Sequence, residues 1–185
     1  MNKKKKSKAG HYEIQGETIA KFELFDQGWN PYSRYLDVDK VDLLLRQRND
    51  NGVEYREIQV KYGKLYPCYL KWEKNIFDIT SWRFFKEDEF KDYIDSPNLF
   101  LIYVLSLDEG YKGDIFIFPI SDFNKIINNS LVSSTKKGKQ RKLLISRSIE
   151  NKSKWYVRKD SIKNIKDLSS CIEVTMYRRN FDLLK

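Results

Sequence analysis

Histidine is almost missing from this 185-residue chain, which has a single copy at His11, and cysteine occurs only twice, at Cys68 and Cys171. One histidine argues against Ser-His-Asp and Cys-His nucleophile pairs and against a His-rich metal site. Two cysteines cannot build a four-cysteine zinc site or a disulfide framework, so the expected setting is a reducing compartment, the cytoplasm. No apolar run approaches the roughly 18 residues of a transmembrane helix, and no membrane partner is expected. Lys3 to Lys6 have no apolar stretch behind them, so they do not read as a signal peptide. Internal repeats and obvious linkers are absent too, which favours one domain.

What is present is a core-forming composition, 41% hydrophobic and 15% aromatic, with a formal charge of +9. That excludes a wholly disordered chain and favours an anionic partner, nucleic acid before a membrane surface. The charge is concentrated. Residues 3–8 hold five lysines and no acid, and residues 131–166 hold twelve Lys or Arg against Glu150 and Asp160. The rest of the chain is therefore net acidic. In the run Lys136, Lys137, Lys139, Arg141 and Lys142, five like charges repel one another unless an anion neutralises them, which marks these residues as phosphate contacts. The expected organisation is a basic tail over residues 1–12 and one domain over 13–185, with its core at about 13–130 and a basic extension at about 131–185.

Glu13 to Gln27 has a helical pattern, and Gly28 stands where a glycine ends a helix. Gly16, Ala20 and Leu24 recur every four residues, so a face of small side chains can lie close to a sheet, with Glu17 beside that stripe. Trp29 to Tyr35 reads as a first strand weakened by Pro31. Val41 to Leu45 and Val53 to Tyr62 read as a hairpin around Asn51-Gly52. With that pair as the loop, Asp42 faces Lys61, Leu44 faces Gln59 and Arg46 faces Glu57. Leu43, Leu45, Ile58 and Val60 then fill the opposite face as a core layer. The aromatic stretch from Tyr62 to Phe85 shows no clean period and reads as loops and short strands, mostly core. Glu87 to Ile94 is expected to be helical. Leu99 to Leu105 reads as a strand buried on both faces, and Ile115 to Phe118 as another. Ser121 would cap a short helix to about Asn128. Leu143 to Arg147 and Trp155 to Val157 read as short strands, and 164–184 as partly helical.

Asp42, Gln59 and Lys61 have a direct chemical use on one face. A carboxylate and an amide carbonyl one strand apart are oxygen donors suited to a hard cation such as Mg²⁺. A lysine two residues on can orient a metal-bound water or stabilise charge on a phosphate. With Gly16-Glu17, Ile19-Ala20-Lys21, Glu23-Leu24 and Gly28-Trp29 ahead of them, these residues resemble the PD-(D/E)XK nuclease superfamily over roughly residues 13–107. The branches it looks like are the Holliday-junction resolvases, the restriction endonucleases and a group of homing endonucleases.

The resemblance implies an α/β fold with a restriction-endonuclease-like core. That core is a helix, a three-stranded antiparallel meander, a crossover helix and further strands, here followed by the basic C-terminal extension. It also implies Mg²⁺- or Mn²⁺-dependent endonuclease action on DNA, with Glu17, Asp42, Gln59 and Lys61 as catalytic residues and the first three as metal ligands. Val41 replaces the proline of the family's name, and Gln59 replaces an acid, giving a neutral ligand. A homo-dimer or tetramer is expected by analogy, since one site cutting both strands usually needs two copies. The alternative is a nucleic-acid-binding module of the same fold without cleavage, or a nuclease acting on RNA through the same residues.

Overall fold

In a computed structural model the described residues are 8–33, 41–50, 52–86, 89–93, 95–107, 110–135, 138–158 and 168–185. Helix α1 spans Lys8–Asp26, so the chain is helical five residues before Glu13, inside the expected tail. It ends as expected. Gly28 has φ +82, its N–H donates to the Phe25 carbonyl at 2.9 Å, and the Trp29 N–H reaches the Leu24 carbonyl at 3.1 Å. This is the paired closure that a left-handed glycine allows.

The first sheet is built from β1 (Asn30–Ser33), β2 (Leu43–Asn49), β3 (Gly52–Lys64), β6 (Leu99–Leu107) and β7 (Gly110–Pro119). They lie in the order β1-β2-β3-β6-β7, all neighbours antiparallel except β3 and β6, which are parallel. Between β3 and β6 the chain leaves this sheet through β4 (Tyr66–Pro67) and β5 (Phe77–Lys86). No α-helix occurs among the described residues of this crossover, and of the helix expected over Glu87 to Ile94 the described part is a 3₁₀ turn at Lys91–Tyr93. Ile79 and Phe85 face the core as a half-buried strand requires, while a register shift after Phe77 turns that ring to the other face.

The second sheet joins β5 to β4, β8 (Leu131–Thr135), β9 (Gly138–Ser148), β10 (Trp155–Arg158) and β11 (Cys171–Glu173). β5 pairs with β9, so β8, β9 and β10 lie in one sheet with the crossover strand. Between the sheets comes α2 (Ile120–Asn128). Its N-cap is Pro119 with no side-chain hydrogen bond, so Ser121 is not the cap but the second helical residue. The expected helicity near the C-terminus is realised as 3₁₀ turns at Leu168–Ser170, Thr175–Tyr177 and Phe181–Leu184.

Two cores hold these layers. On one face of the first sheet α1 (Ala20, Leu24) and the C-terminal Phe181 and Leu184 cover Leu43, Leu45, Ile58, Val60, Ile102 and Ile117. Gly16 is the close-approach point, where a Cβ would meet the Tyr62 Cβ at 3.0 Å. On the other face Leu101, Tyr103 and Phe118 meet Leu143, Ile145, Trp155 and α2. The run Leu99 to Ser106 is buried throughout, as expected for a central strand. No helix among the described residues is long and apolar enough to cross a membrane.

Candidate active site

The hairpin differs from expectation in register. Asn49 pairs with Gly52, Leu44 with Glu57 and Arg46 with Tyr55. The connection thus falls one residue earlier than the Asn-Gly pair. Gly52, at φ +127, opens β3 instead of sitting in the loop, and Asn51 lies outside the described residues. Every cross-strand partner moves by two residues. A two-residue shift preserves the side-chain alternation, so the faces stay as expected while the neighbours change.

Asp42 consequently lies beside Gln59, not opposite Lys61. Its N–H donates to the Ile58 carbonyl at 2.8 Å. Its Oδ2 accepts hydrogen bonds from Gln59 Nε2 at 2.9 Å and from the Val60 N–H at 2.6 Å. Gln59 is only 4% exposed, and its Oε1 is buried with no hydrogen-bond partner. An amide oxygen stripped of water and left unpaired costs on the order of 1–3 kcal/mol, so this atom is a strong acceptor in search of a cation or donor.

Lys61 follows on the same face. Burial pushes its ammonium below the ordinary lysine value of 10.5, partly offset by the nearby Asp42 and Glu89 carboxylates; Arg83 pushes it further down and Glu13 opposes. The geometry behind this is a strand that outruns its neighbour. β2 pairs with β3 only as far as Leu43 and Ile58, while β3 continues to Lys64. From Gln59 onward β2 no longer covers that edge, and a cleft of about 490 Å³ opens there, lined by Tyr12, Glu13, Lys61, Lys64, Tyr66 and Arg83 among others. Arg83 comes from β5 and donates Nη1 to the Tyr62 carbonyl at 3.0 Å. Tyr12 stacks on Tyr62 at 5.4 Å with Lys64 Nζ 5.3 Å above the Tyr12 ring.

The sequence-derived set is thus partly brought together. Asp42, Gln59 and Lys61 share one face, and of the three Lys61 lines the cleft. Glu17 is half-buried on α1, one turn beyond Glu13, and among the described residues it is Glu13 that lines the cleft. Glu13 is legible in retrospect, because it lies four residues before Glu17 on the same helical stripe. Arg83 had no such signal, since its place depends on β5 folding back over β3.

Among the described residues no group of three or more His, Cys, Asp or Glu is placed to hold a metal. The side chains that meet are the Asp42 carboxylate and the Gln59 amide, joined through Gln59 Nε2. Burial also pushes the Cys68 thiol up to about 11, so it is not a nucleophile near neutral pH.

The basic run is divided. Lys136 and Lys137 lie outside the described residues. Lys139, Arg141 and Lys142 are on β9, where neighbours alternate between faces, so Arg141 and Lys142 point to opposite sides. Arg141 Nη1 donates to the Asn128 carbonyl at 3.0 Å, at the C-terminal end of α2. Lys142 Nζ stands 5.6 Å from the Trp82 ring and 5.9 Å from the Phe84 ring. Lys139 is exposed. No known family matches this chain, and no curated protein and no solved structure matches it either.

Proposed function

We propose that the protein is a metal-dependent endonuclease that hydrolyses phosphodiester bonds of DNA on the strand face that carries Asp42, Gln59 and Lys61. The observation that carries the reading is the buried Gln59 amide, whose Nε2 meets the Asp42 carboxylate and whose Oε1 has no hydrogen-bond partner, with a desolvated lysine next on the same face. The order of α1, the antiparallel β1-β2-β3 and a parallel β6 beside β3 supports a restriction-endonuclease-like core. In it, β4 and β5 stand where the resemblance implies a crossover helix.

Asp42 and Gln59 are the oxygen donors that would hold Mg²⁺ or Mn²⁺, with Glu17 as the further ligand implied by the resemblance. When bound, the ion supplies Lewis acidity at the phosphate and an acidified water. The chain's own residues do the rest. The Val60 N–H fixes one Asp42 oxygen, so that carboxylate is oriented before anything binds. Lys61 offers a poorly solvated positive charge, which is worth more to a phosphate developing charge than a hydrated one. Lys64 and Arg83 line the approach and attract the backbone. A homo-oligomer acting in the cytoplasm is the assembly that fits cutting of both strands.

A second reading is favoured by one contact. Gln59 donates to Asp42, so the pair already satisfies part of its own hydrogen bonding, as a silenced site in a nucleic-acid-binding module would. Incubation with supercoiled plasmid in Mg²⁺ or Mn²⁺, against EDTA and an Asp42→Ala control, separates the two. Nicking by the wild type alone supports the nuclease. Retained DNA binding with no nicking in either ion overturns it, and a parallel RNA substrate shows which nucleic acid is cut.

A further inference from the structure

Among the described residues, the outer face of the second sheet is covered at one end. There, segment 68–76 folds over it, with Cys68, Phe77 and Tyr156 packed together and Trp72 against them. Arg158 fastens that cover. It is 1% exposed, donates to Glu73 at 2.6 Å and to Ser146 Oγ at 3.0 Å, and lies 4.9 Å from the Phe77 ring.

At the other end the aromatic side chains are partly exposed among the described residues. Tyr66 pairs with Thr80, and Trp82 and Phe84 follow Thr80 at two-residue steps, so these side chains share that face. Tyr66 is 39% exposed, Trp82 50% and Phe84 38%. Lys142 lies opposite Phe84 in the ladder, with its ammonium above both rings. Trp82 and Phe84 meet edge to face, with centroids 5.7 Å apart. All three aromatics also line the cleft that holds Lys61, Lys64 and Arg83. A continuous surface therefore runs from an aromatic shelf to Lys61 of the candidate site, with cations outnumbering the one acid, Glu13, that lines it.

We infer that this shelf binds unpaired nucleotides, stacking their bases on Trp82, Phe84 and Tyr66 while Lys142 and Lys64 take the phosphates. The inference takes nucleic acid as the ligand from the proposed function and adds the state of the strand. Charge alone suits any polyanion. Three exposed rings between lysines suit one whose monomers have flat faces, and in a duplex those faces are hidden by pairing and stacking.

The test is binding without divalent ion, by fluorescence anisotropy, of a labelled dT₁₂ strand and of a 12-base-pair duplex. The single strand is expected to bind more tightly. Trp82→Ala with Phe84→Ala should weaken dT₁₂ on the order of ten-fold or more, with the duplex changed by less than about two-fold. Trp82→Phe, which keeps a ring, should retain most of the affinity. Equal losses for both forms, or no loss for dT₁₂, overturn the inference. So does heparin binding with the same dependence on Trp82, since charge and not base stacking would then be recognised. Absence of cleavage refutes the nuclease reading without touching this result, because the measurement needs no metal and uses the intact Asp42 site.

Discussion

Replacing Gln59 by Glu tests the candidate site at its most informative atom. Gln59 Nε2 donates to Asp42 Oδ2 over 2.9 Å, so the substitution exchanges a donor for a carboxylate at hydrogen-bond distance from another carboxylate. Two charges about 4 Å apart repel by roughly 4 kcal/mol at an effective dielectric constant near 20. The protein relieves this by keeping a proton on the pair. Holding a carboxyl of ordinary pKa about 4.3 protonated at pH 7 costs about 3.7 kcal/mol, which caps the damage. At pH 5 the same cost is about 1 kcal/mol.

The folded-state pKa of the introduced carboxyl is raised above its unfolded value. The variant therefore matches wild type below about pH 4 and loses stability as pH rises toward neutrality. For a chain of 185 residues, about 3–4 kcal/mol corresponds to a fall in Tm of roughly 6–16 °C at pH 7, shrinking to a few degrees at pH 5. A divalent ion should reverse the loss. At about a hundred times its Kd it returns about 2.7 kcal/mol, whereas wild type, with a neutral Gln59, gains less. Differential scanning fluorimetry in EDTA and in Mg²⁺ across this pH range reads every arm. A Gln59→Glu variant whose Tm is the same in EDTA and Mg²⁺ would refute a hard-cation site here, and a loss independent of pH would refute the Asp42 contact.

Lys61→Met should abolish cleavage yet raise Tm at pH 7, because burial already holds the ammonium below the ordinary lysine value of 10.5. The gain should shrink as pH climbs through the lowered folded value toward 10.5, and a fall in Tm at pH 7 would show that the ion pairing outweighs desolvation. Lys139→Ala and Lys142→Ala should each flatten the dependence of log K on log salt by about 0.7 for single strands. Arg141→Ala should instead lower Tm with an unchanged slope, since its guanidinium serves the carbonyl end of α2. Gly63→Ala would drive a Cβ into Tyr103 Oη and Ser81 Oγ, which hydrogen-bond at 3.1 Å. A loss of about 2–3 kcal/mol is expected by thermal or urea unfolding, and a variant as stable as wild type would show that the two sheets can separate there.

The residues themselves determined which side chains share a face. Asp42, Gln59 and Lys61 against Leu43, Ile58 and Val60 is a parity written in the chain by the two-residue period of a strand. It survived a hairpin whose register moved by two residues. The helix ending at Gly28 and the fully buried strand at Leu99 to Ser106 were equally local, one set by a glycine that adopts positive φ, the other by an unbroken apolar run. Tertiary structure alone decided what stands around that face. Asp42 meets Gln59 and not Lys61 because Gly52 opens β3. Arg83 reaches the Tyr62 carbonyl because β5, part of an aromatic stretch without a period, is claimed by β9 some sixty residues later. Trp82 and Phe84 stay half-exposed because the segment that covers this sheet stops short of them. Periodicity is paid out residue by residue along the chain. Partners far apart in sequence are chosen by the burial that all the layers achieve together, and no window of the sequence contains that sum.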